Sequence, residues 1–133
     1  MDVPGFALIT GPVSGIGRTC TLGFTNEGTA SLALLDLSLD ALSGMAVNVT
    51  NKDEVTLTVP EVARKFERLN YVVNAAGIAT KHPVETNDWQ RILNFNPGSS
   101  FIVLGGAAKI MLQQNSILSS VNHRDDLCSA APS

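Results

Sequence analysis

The chain has 133 residues, of which 44% are hydrophobic and 16% charged, a composition that suits one globular domain with its own core. The formal net charge of −3 and a pI near 5.2 leave no basic surface for nucleic-acid phosphates or anionic lipids. We therefore expect neither nucleic-acid binding nor membrane binding.

The cysteines and the first residues indicate the compartment. Cys20 and Cys128 lie far apart and in no Cys/His cluster, so neither a disulfide framework nor a metal site is expected. The first five residues include an acid and a proline, whereas an export signal begins with a basic end and an apolar stretch. The longest uncharged run, 92–108, is shorter than the roughly 20 apolar residues of a membrane span. The sequence predicts a soluble, cytoplasmic protein.

The first third of the sequence has the pattern of a βαβ unit. An apolar run at 6–10, typical of a buried parallel strand, ends in a glycine-rich turn. Apolar residues at helical spacing follow from Gly15 until Gly28, which is placed to end the helix. A second apolar run, 31–37, contains one carboxylate, Asp36, and indicates a second buried strand.

The later elements are less regular. Because a proline cannot donate from a helix interior, a helix is predicted to start at Pro60. The full set is a third strand at 45–49 after a short crossover, a helix from Pro60 to about Arg68, a fourth strand at 71–75, a long helix over 89–113 interrupted at Pro97-Gly98, and a weak fifth strand at 116–120. This alternation predicts an α/β fold, with a Rossmann-like, doubly wound, mainly parallel sheet of about five strands. Residues 1–121 form the predicted domain, and 122–133 a disordered tail.

The turn at 10–17, Thr-Gly-Pro-Val-Ser-Gly-Ile-Gly, lies between a predicted strand and a predicted helix, where a glycine pattern typically binds a dinucleotide. Gly11 permits the tight turn, Gly15 lets backbone approach a pyrophosphate, and Gly17 lets the helix pack closely on the sheet. Asp36 follows Gly17 by 19 residues, where its carboxylate can accept a hydrogen bond from a ribose 2′-hydroxyl and repel a 2′-phosphate. This favours NAD over NADP. The alternative is a turn of purely structural use.

The spacing T-G-x-x-x-G-x-G at 10–17 resembles the short-chain dehydrogenase/reductase family, and further segments follow in that family's order. They are Val47-Asn48-Val49-Thr50, similar to the family's adenine-contacting Asp-Val-Thr; Asn74-Ala75-Ala76-Gly77, similar to its Asn-Asn-Ala-Gly; 89–96, similar to the segment that ends in the active-site Asn; and 116–120, similar to the strand that carries the catalytic Ser. The resemblance extends from Gly5 to about Val121. It is strongest to fungal members of secondary metabolism.

The resemblance implies two catalytic residues, Asn96 and Ser120, and a dinucleotide cofactor. With the turn and the acid, the candidate cofactor-binding residues are Thr10, Gly11, Ser14, Gly15, Ile16, Gly17, Asp36, Asn48, Val49, Asn74, Ala75 and Gly77. In the family a Tyr-x-x-x-Lys pair handles the substrate proton, but the single tyrosine, Tyr71, lies in the fourth strand and Ala75 stands four residues later. By family order the pair would follow Ser120, so we expect a C-terminally truncated member.

Three hypotheses follow. The first is an NAD(P)-dependent oxidoreductase of the carbonyl–alcohol type that binds cofactor with little or no turnover and takes a small-molecule substrate only if completed. The second is a non-catalytic module that binds nucleotide or a homologue, with self-association through the long helix 89–113, which has apolar residues on more than one face. The third is a gene-model fragment without function. For Ser120, a strand-ending hydroxyl is the alternative to a catalytic role.

Overall fold

The computed structural model describes residues 4–13, 15–37, 45–83 and 85–117. In chain order the elements are β1 (Phe6–Thr10), α1 (Gly15–Asn26), β2 (Ser31–Asp36), β3 (Met45–Ala46), α2 (Lys52–Lys65), β4 (Tyr71–Asn74) and α3 (Thr86–Ile117). Strands alternate with helices except at β2 and β3, between which 38–44 lie outside the described residues, and this order confirms the predicted α/β fold. None of the helices in these ranges combines the length and the apolar character that a membrane crossing requires.

The four strands form one parallel sheet in the order β3-β2-β1-β4. β1 is central and all five of its residues are buried, as expected for a strand covered on both faces. From β1 the chain moves outward to β2 and β3, and then returns to β4 on the other side of β1. The direction of winding therefore reverses between β1 and β4. In parallel sheets the crevice at the carboxyl ends of such strands is the usual ligand site.

Alternate residues of β1 face different layers. Phe6 and Leu8 belong to the main buried cluster, which α2 closes with Val59 and α3 closes with Val103. The ring of Phe6 stacks on Phe66, just after α2, with 4.3 Å between ring centroids. At about 25 cal/mol per Å² of apolar surface, burial of these large side chains is the main stabilising contribution on this face.

The other face of the sheet is covered by α1. Ala7 and Ile9 are fully buried and pair in register with Tyr71 and Val73 of β4. The ring of Phe24 in α1 contacts Tyr71, with 5.4 Å between centroids. The helices thus lie on both faces of the sheet, which is the doubly wound arrangement predicted from the sequence.

The predicted start of α2 at Pro60 is wrong, because the helix begins eight residues earlier, at Lys52. Asn51 caps it, and its side-chain oxygen accepts from the backbone N–H of Asp53 at 3.0 Å and of Glu54 at 3.3 Å. Pro60 lies inside the helix on its exposed side. The proline removes one helical hydrogen bond, but burial of Val55 and three later residues on the core side outweighs that loss.

The long helix α3 is continuous through Pro97-Gly98, so the predicted interruption is also wrong. The hydroxyls of Ser99 and Ser100 both donate to the Asn96 carbonyl, which adds hydrogen bonds beside the proline. The helix also includes the first two residues of the predicted fifth strand, and 118–120 lie outside the described residues.

Apart from the end of α3, which lies four residues beyond the predicted 113, the remaining boundaries agree with the sequence to within three residues. β1 is confirmed at 6–10, β2 and β4 each end one residue early, and β3 keeps only the first two of its five predicted residues. Both the short crossover at 38–44 and the predicted tail at 122–133 lie outside the described residues. The domain boundary at 121 stays a prediction.

Candidate functional site

The glycine turn after β1 runs directly against the backbone that follows β4. Gly11 has a φ of 64°, and its N–H donates to the Leu35 carbonyl at 3.0 Å. A Cβ atom on Gly11 would lie 2.8 Å from both the nitrogen and the Cα of Ala76. Both the positive φ and the contact with fixed backbone require glycine at this position.

Gly15 and Gly17 begin α1 with different requirements. Gly15 has a φ of 52°, but no heavy atom lies within 4 Å of where its Cβ would stand, so only its conformation favours glycine. Gly17 is buried, and a Cβ there would overlap the Gly11 carbonyl oxygen and come within 3.2 Å of the Ala75 Cβ. The close contact at Gly17 agrees with the packing role predicted for it, while the pyrophosphate contact predicted for Gly15 stays a prediction.

The amino end of α1 is suited to an anion. Its first turn contains no acidic residue, while Arg18 adds an exposed positive charge to the partial positive charge of the helix terminus. The Ile16 side chain is 76% exposed and aliphatic, so its backbone N–H is the only group of this residue that could donate to an anion. Ser14, the other candidate in the turn, lies outside the described residues.

A cleft of about 160 Å³ opens at the carboxyl edge of the sheet, between the ends of β1, β2 and β4. Asp36 and Leu37 form one wall with Val47 and Val49, and the segment 75–78 forms the other. Gly11 lies between the two walls. The cleft therefore brings together the glycine turn, the acid after β2 and the segment after β4, which are far apart in sequence.

Asn48, which lies in the segment similar to the family's adenine-contacting one, uses its side-chain oxygen for local hydrogen bonds. It accepts from the Thr50 N–H at 3.0 Å and from the Thr50 hydroxyl at 2.6 Å. The Asn48 N–H donates to a Glu54 carboxylate oxygen at 2.9 Å. Since a carbonyl oxygen has two lone pairs, both acceptor positions are already used. The residue shapes the entry into α2 in this structure.

Asn74 connects β1 with α3 below the cleft. Its oxygen accepts from the Thr10 hydroxyl at 2.5 Å, and its nitrogen donates to the Ser100 hydroxyl at 2.9 Å. Thr10 also accepts from the Ala76 N–H at 3.3 Å, so the predicted residue Thr10 reaches the cleft wall from beneath. Sequence reasoning did not find Ser100, because a serine inside an apolar helix carries no signal until its partner strand is known.

Asn96 forms hydrogen bonds through both its side chain and its backbone carbonyl. Its oxygen accepts from the Ile78 N–H at 2.8 Å, and its nitrogen donates to the Ile78 carbonyl at 3.0 Å. Its own carbonyl accepts from the hydroxyls of Ser99 and Ser100. The residue predicted to be catalytic thus fixes the segment after β4, and its amide oxygen lies 3.4 Å from where a Gly77 Cβ would stand.

The single tyrosine is remote from the cleft. Tyr71 begins β4 at the amino edge of the sheet, and its hydroxyl donates to the Pro4 carbonyl at 3.3 Å. Ser120, predicted as catalytic, lies outside the described residues. Across the ranges that the structure describes, no three His, Cys, Asp or Glu side chains are grouped to hold a metal ion.

Comparisons with known proteins agree on one family. The profile described as short chain dehydrogenase matches residues 5–119. Short-chain dehydrogenase virB of Hypocrea virens is 26% identical over 119 residues, a match covering 86% of this chain and 45% of that protein. The 3-oxoacyl-acyl-carrier-protein reductase FabG of Thermotoga maritima is 32% identical over 123 residues, covering 80% of this chain and 50% of that protein.

Solved structures give the same result. The crystal structure of NAD+-bound xylitol dehydrogenase is 29% identical to this chain and superposes with a TM-score of 0.76, covering 84% of this chain and 49% of that chain. The chain spans about half the length of the curated relatives it matches.

Proposed function

The chain belongs to the short-chain dehydrogenase family, and from that premise we propose that it binds a nicotinamide dinucleotide at the carboxyl edge of its sheet. The observation that carries the proposal is the meeting of three segments in one cleft: the Gly11 turn, the Asp36 strand end and the segment 75–78. The cleft lies where the winding of the sheet reverses, between β1 and β4. A bound dinucleotide would supply hydride transfer.

The glycine turn and the start of α1 would hold the pyrophosphate. Gly15 has a left-handed backbone, and no atom lies within 4 Å of where its Cβ would stand. A ligand could therefore approach the backbone of α1 at this residue. The first turn of α1 offers N–H groups and no negative charge. Thr10 and Asn74 support this turn from below through their hydrogen bond.

The wall made by Asp36, Val47 and Val49 would hold the adenosine half. Asp36 is half-buried at the end of β2, where its carboxylate can accept from a ribose hydroxyl. The same charge opposes a 2′-phosphate, and the adjacent Leu37 has no positive charge to offset it. We therefore propose NAD as the preferred cofactor over NADP.

The reaction class we propose for the family-like site is interconversion of a carbonyl and an alcohol on a small molecule. Ser120 would polarise the carbonyl oxygen, as the family resemblance implies. Tyr71 hydrogen-bonds at the opposite edge of the sheet and does not serve as proton donor at the cleft. We expect cofactor binding with little or no turnover by the chain on its own. The cysteine pattern supports a reducing, cytoplasmic location.

Titration calorimetry of the intact chain with NADH, NADPH and ADP-ribose tests this function. We expect heat with NADH and with ADP-ribose, which carries the pyrophosphate and both riboses, and a weaker response with NADPH. Absence of binding with all three ligands by a cooperatively folded chain would contradict the proposal. Equal affinity for NADH and NADPH would contradict only the cofactor preference.

A second function, self-association, is favoured by the exposed face of α3. Phe101 is 84% exposed and Leu112 68% exposed, and Leu93 and Leu104 lie on the same side of the helix. The apolar positions are arranged symmetrically about the point between residues 102 and 103, in the pairs Leu93 with Leu112, Pro97 with Ala108, and Phe101 with Leu104.

This spacing fits a second copy of the chain. An antiparallel α3 related by a two-fold axis would place each residue of a pair opposite its counterpart, and the interface would be isologous. Gly105 and Ala108 leave room for close approach of the two helices. We propose that the partner at α3 is another copy of this chain. The oligomeric state in solution decides between this partner and none.

A further inference from the structure

Two backbone N–H groups in the cleft wall donate hydrogen bonds to side chains from other elements. The Ala76 N–H donates to the Thr10 hydroxyl of β1 at 3.3 Å. The Ile78 N–H donates to the Asn96 side-chain oxygen of α3 at 2.8 Å. Between these two ends, the hydrogen bonds of Asn74 and Ser100 form a continuous connection.

The connection has one direction. The Thr10 oxygen accepts from the Ala76 N–H, and its hydroxyl donates to the Asn74 oxygen. The Asn74 nitrogen then donates to the Ser100 oxygen, and the Ser100 hydrogen is directed to the Asn96 carbonyl at 3.0 Å. In this arrangement each hydroxyl donates once and accepts once, and the Asn74 amide accepts through its oxygen and donates through its nitrogen. The Asn74 amide is therefore held by a hydrogen bond on each side.

The circuit closes on the segment where it began. Asn96, whose carbonyl receives the Ser100 hydroxyl, binds Ile78 through both its amide oxygen and its amide nitrogen. The backbone at 76 and 78 is thus held at two points by one chain of side chains across β1, β4 and α3. Both residues line the cleft.

We propose that Ser100 is a positioning residue, which with Asn74 sets the shape of the segment 76–78 before any ligand binds. The consequence for cofactor binding rests on the proposed function, because only then does this segment contact a dinucleotide. Asn96 acts in the same circuit and holds the wall through both atoms of its side-chain amide.

Ser100 is the stronger of two parallel links. Ser99 is fully buried and reaches the same partners, but at 3.4 Å from the Asn74 nitrogen and 3.2 Å from the Asn96 carbonyl. The corresponding distances for Ser100 are 2.9 Å and 3.0 Å. Removal of both hydroxyls interrupts the circuit completely.

Amide hydrogen exchange of the intact chain without ligand tests the proposal. In Ser100→Ala we expect the Ile78 amide to exchange about tenfold faster, and in Ser99→Ala/Ser100→Ala faster still, because the Asn96 carbonyl loses its hydroxyl donors. The Ala75 amide, which donates to the Thr10 carbonyl of the sheet, is the internal control and should not change. Ser100→Thr keeps the hydroxyl and should restore slow exchange.

Thr25→Ala is the matched control variant. Its hydroxyl donates to the carbonyl four residues earlier in α1 at 2.8 Å, as that of Ser100 does in α3, but it has no partner in another element among the described hydrogen bonds. It should leave Ile78 exchange unchanged. An unchanged Ile78 amide in the double serine variant, with the fold intact, overturns the proposal.

Cofactor titration separates this inference from the proposed function. If the native chain binds NADH, Ser99→Ala/Ser100→Ala should weaken binding several-fold, while Thr25→Ala should not. If the native chain binds no dinucleotide, the exchange result alone still decides whether Ser100 positions the wall. Faster exchange at Ala75 and Ile78 together would indicate general loosening of the fold and would count against the proposal.

Discussion

The Cα of Gly17 faces the carbonyl oxygen of Gly11 so closely that any side-chain carbon on Gly17 would overlap it. The two residues are the first and last glycines of the turn after β1. This contact packs the loop after β1 against the first turn of α1. A Cβ on Gly17 would also lie 3.2 Å from the Cβ of Ala75, which follows β4. The position of α1 on the sheet therefore depends on the lack of a side chain at residue 17.

We expect Gly17→Ala to lower the free energy of unfolding by about 1–3 kcal/mol, because fixed backbone must move to admit the methyl group. Gly23→Ala is the matched control, since it lies in the same helix with no atom within 4 Å of the added carbon. It should stabilise the chain by about 0.5–1 kcal/mol. Urea unfolding measures both, and equal effects of the two variants would show that the Gly11 contact is unimportant.

Asp36→Ala should weaken NADH binding about tenfold to a hundredfold, the usual loss for a hydrogen bond to a charged group. NADPH binding should weaken less or improve, because the carboxylate that opposes the 2′-phosphate is gone. Glu61→Ala removes the same charge from the exposed side of α2 and serves as the control. A uniform loss for both cofactors would mean that Asp36 does not select between them.

Pro60→Ala should raise the free energy of unfolding by about 1–3 kcal/mol, since alanine restores a helical N–H and removes the ring from the interior of α2. The side chain at this position is exposed, so its loss costs little packing. Denaturant unfolding is the measurement, with Glu61→Ala as the neighbouring control expected within about 0.5 kcal/mol of the native chain. A loss of stability would indicate that packing of Val59 depends on the proline.

Phe101→Glu should convert a self-associated chain into a monomer in sedimentation velocity, because two carboxylates would meet apolar side chains near the two-fold axis. The monomer itself should remain stable, since Phe101 is almost fully exposed. Leu57→Glu, on α2 and 74% exposed, is the control and should not alter the sedimentation coefficient. A monomeric native chain at all concentrations would contradict self-association through α3.

Local patterns predicted the sheet well because buried parallel strands are continuous apolar runs. The runs that became β1 and β2 have this property, and both were found to within one residue. The predictions at the two prolines were wrong, because the rule against Pro60 and Pro97 in a helix interior considers only local energy. Burial of Val55 and Val59 against the core is a tertiary contribution that this rule does not include.

The candidate site was predicted in part. The glycine turn and Asp36 were predicted from spacing alone, and the structure brings them to one cleft. Asn96 was predicted by resemblance, but only its hydrogen bonds to Ile78 and the two serines show that it holds the wall. Ser100 was not found, because its function depends on Asn74 lying opposite it across the β4–α3 packing.

The sequence by itself determined the order of strands and helices, the glycines that α1 needs and the acid at the end of β2, because each depends on residues close together in the chain. Only the tertiary structure decided how Thr10, Asn74 and Ser100 share their hydrogen bonds, and that Tyr71 lies at the edge opposite the cleft. The direction of a hydrogen-bond chain is set by which donors and acceptors are placed together, and pairing between distant segments sets that placement.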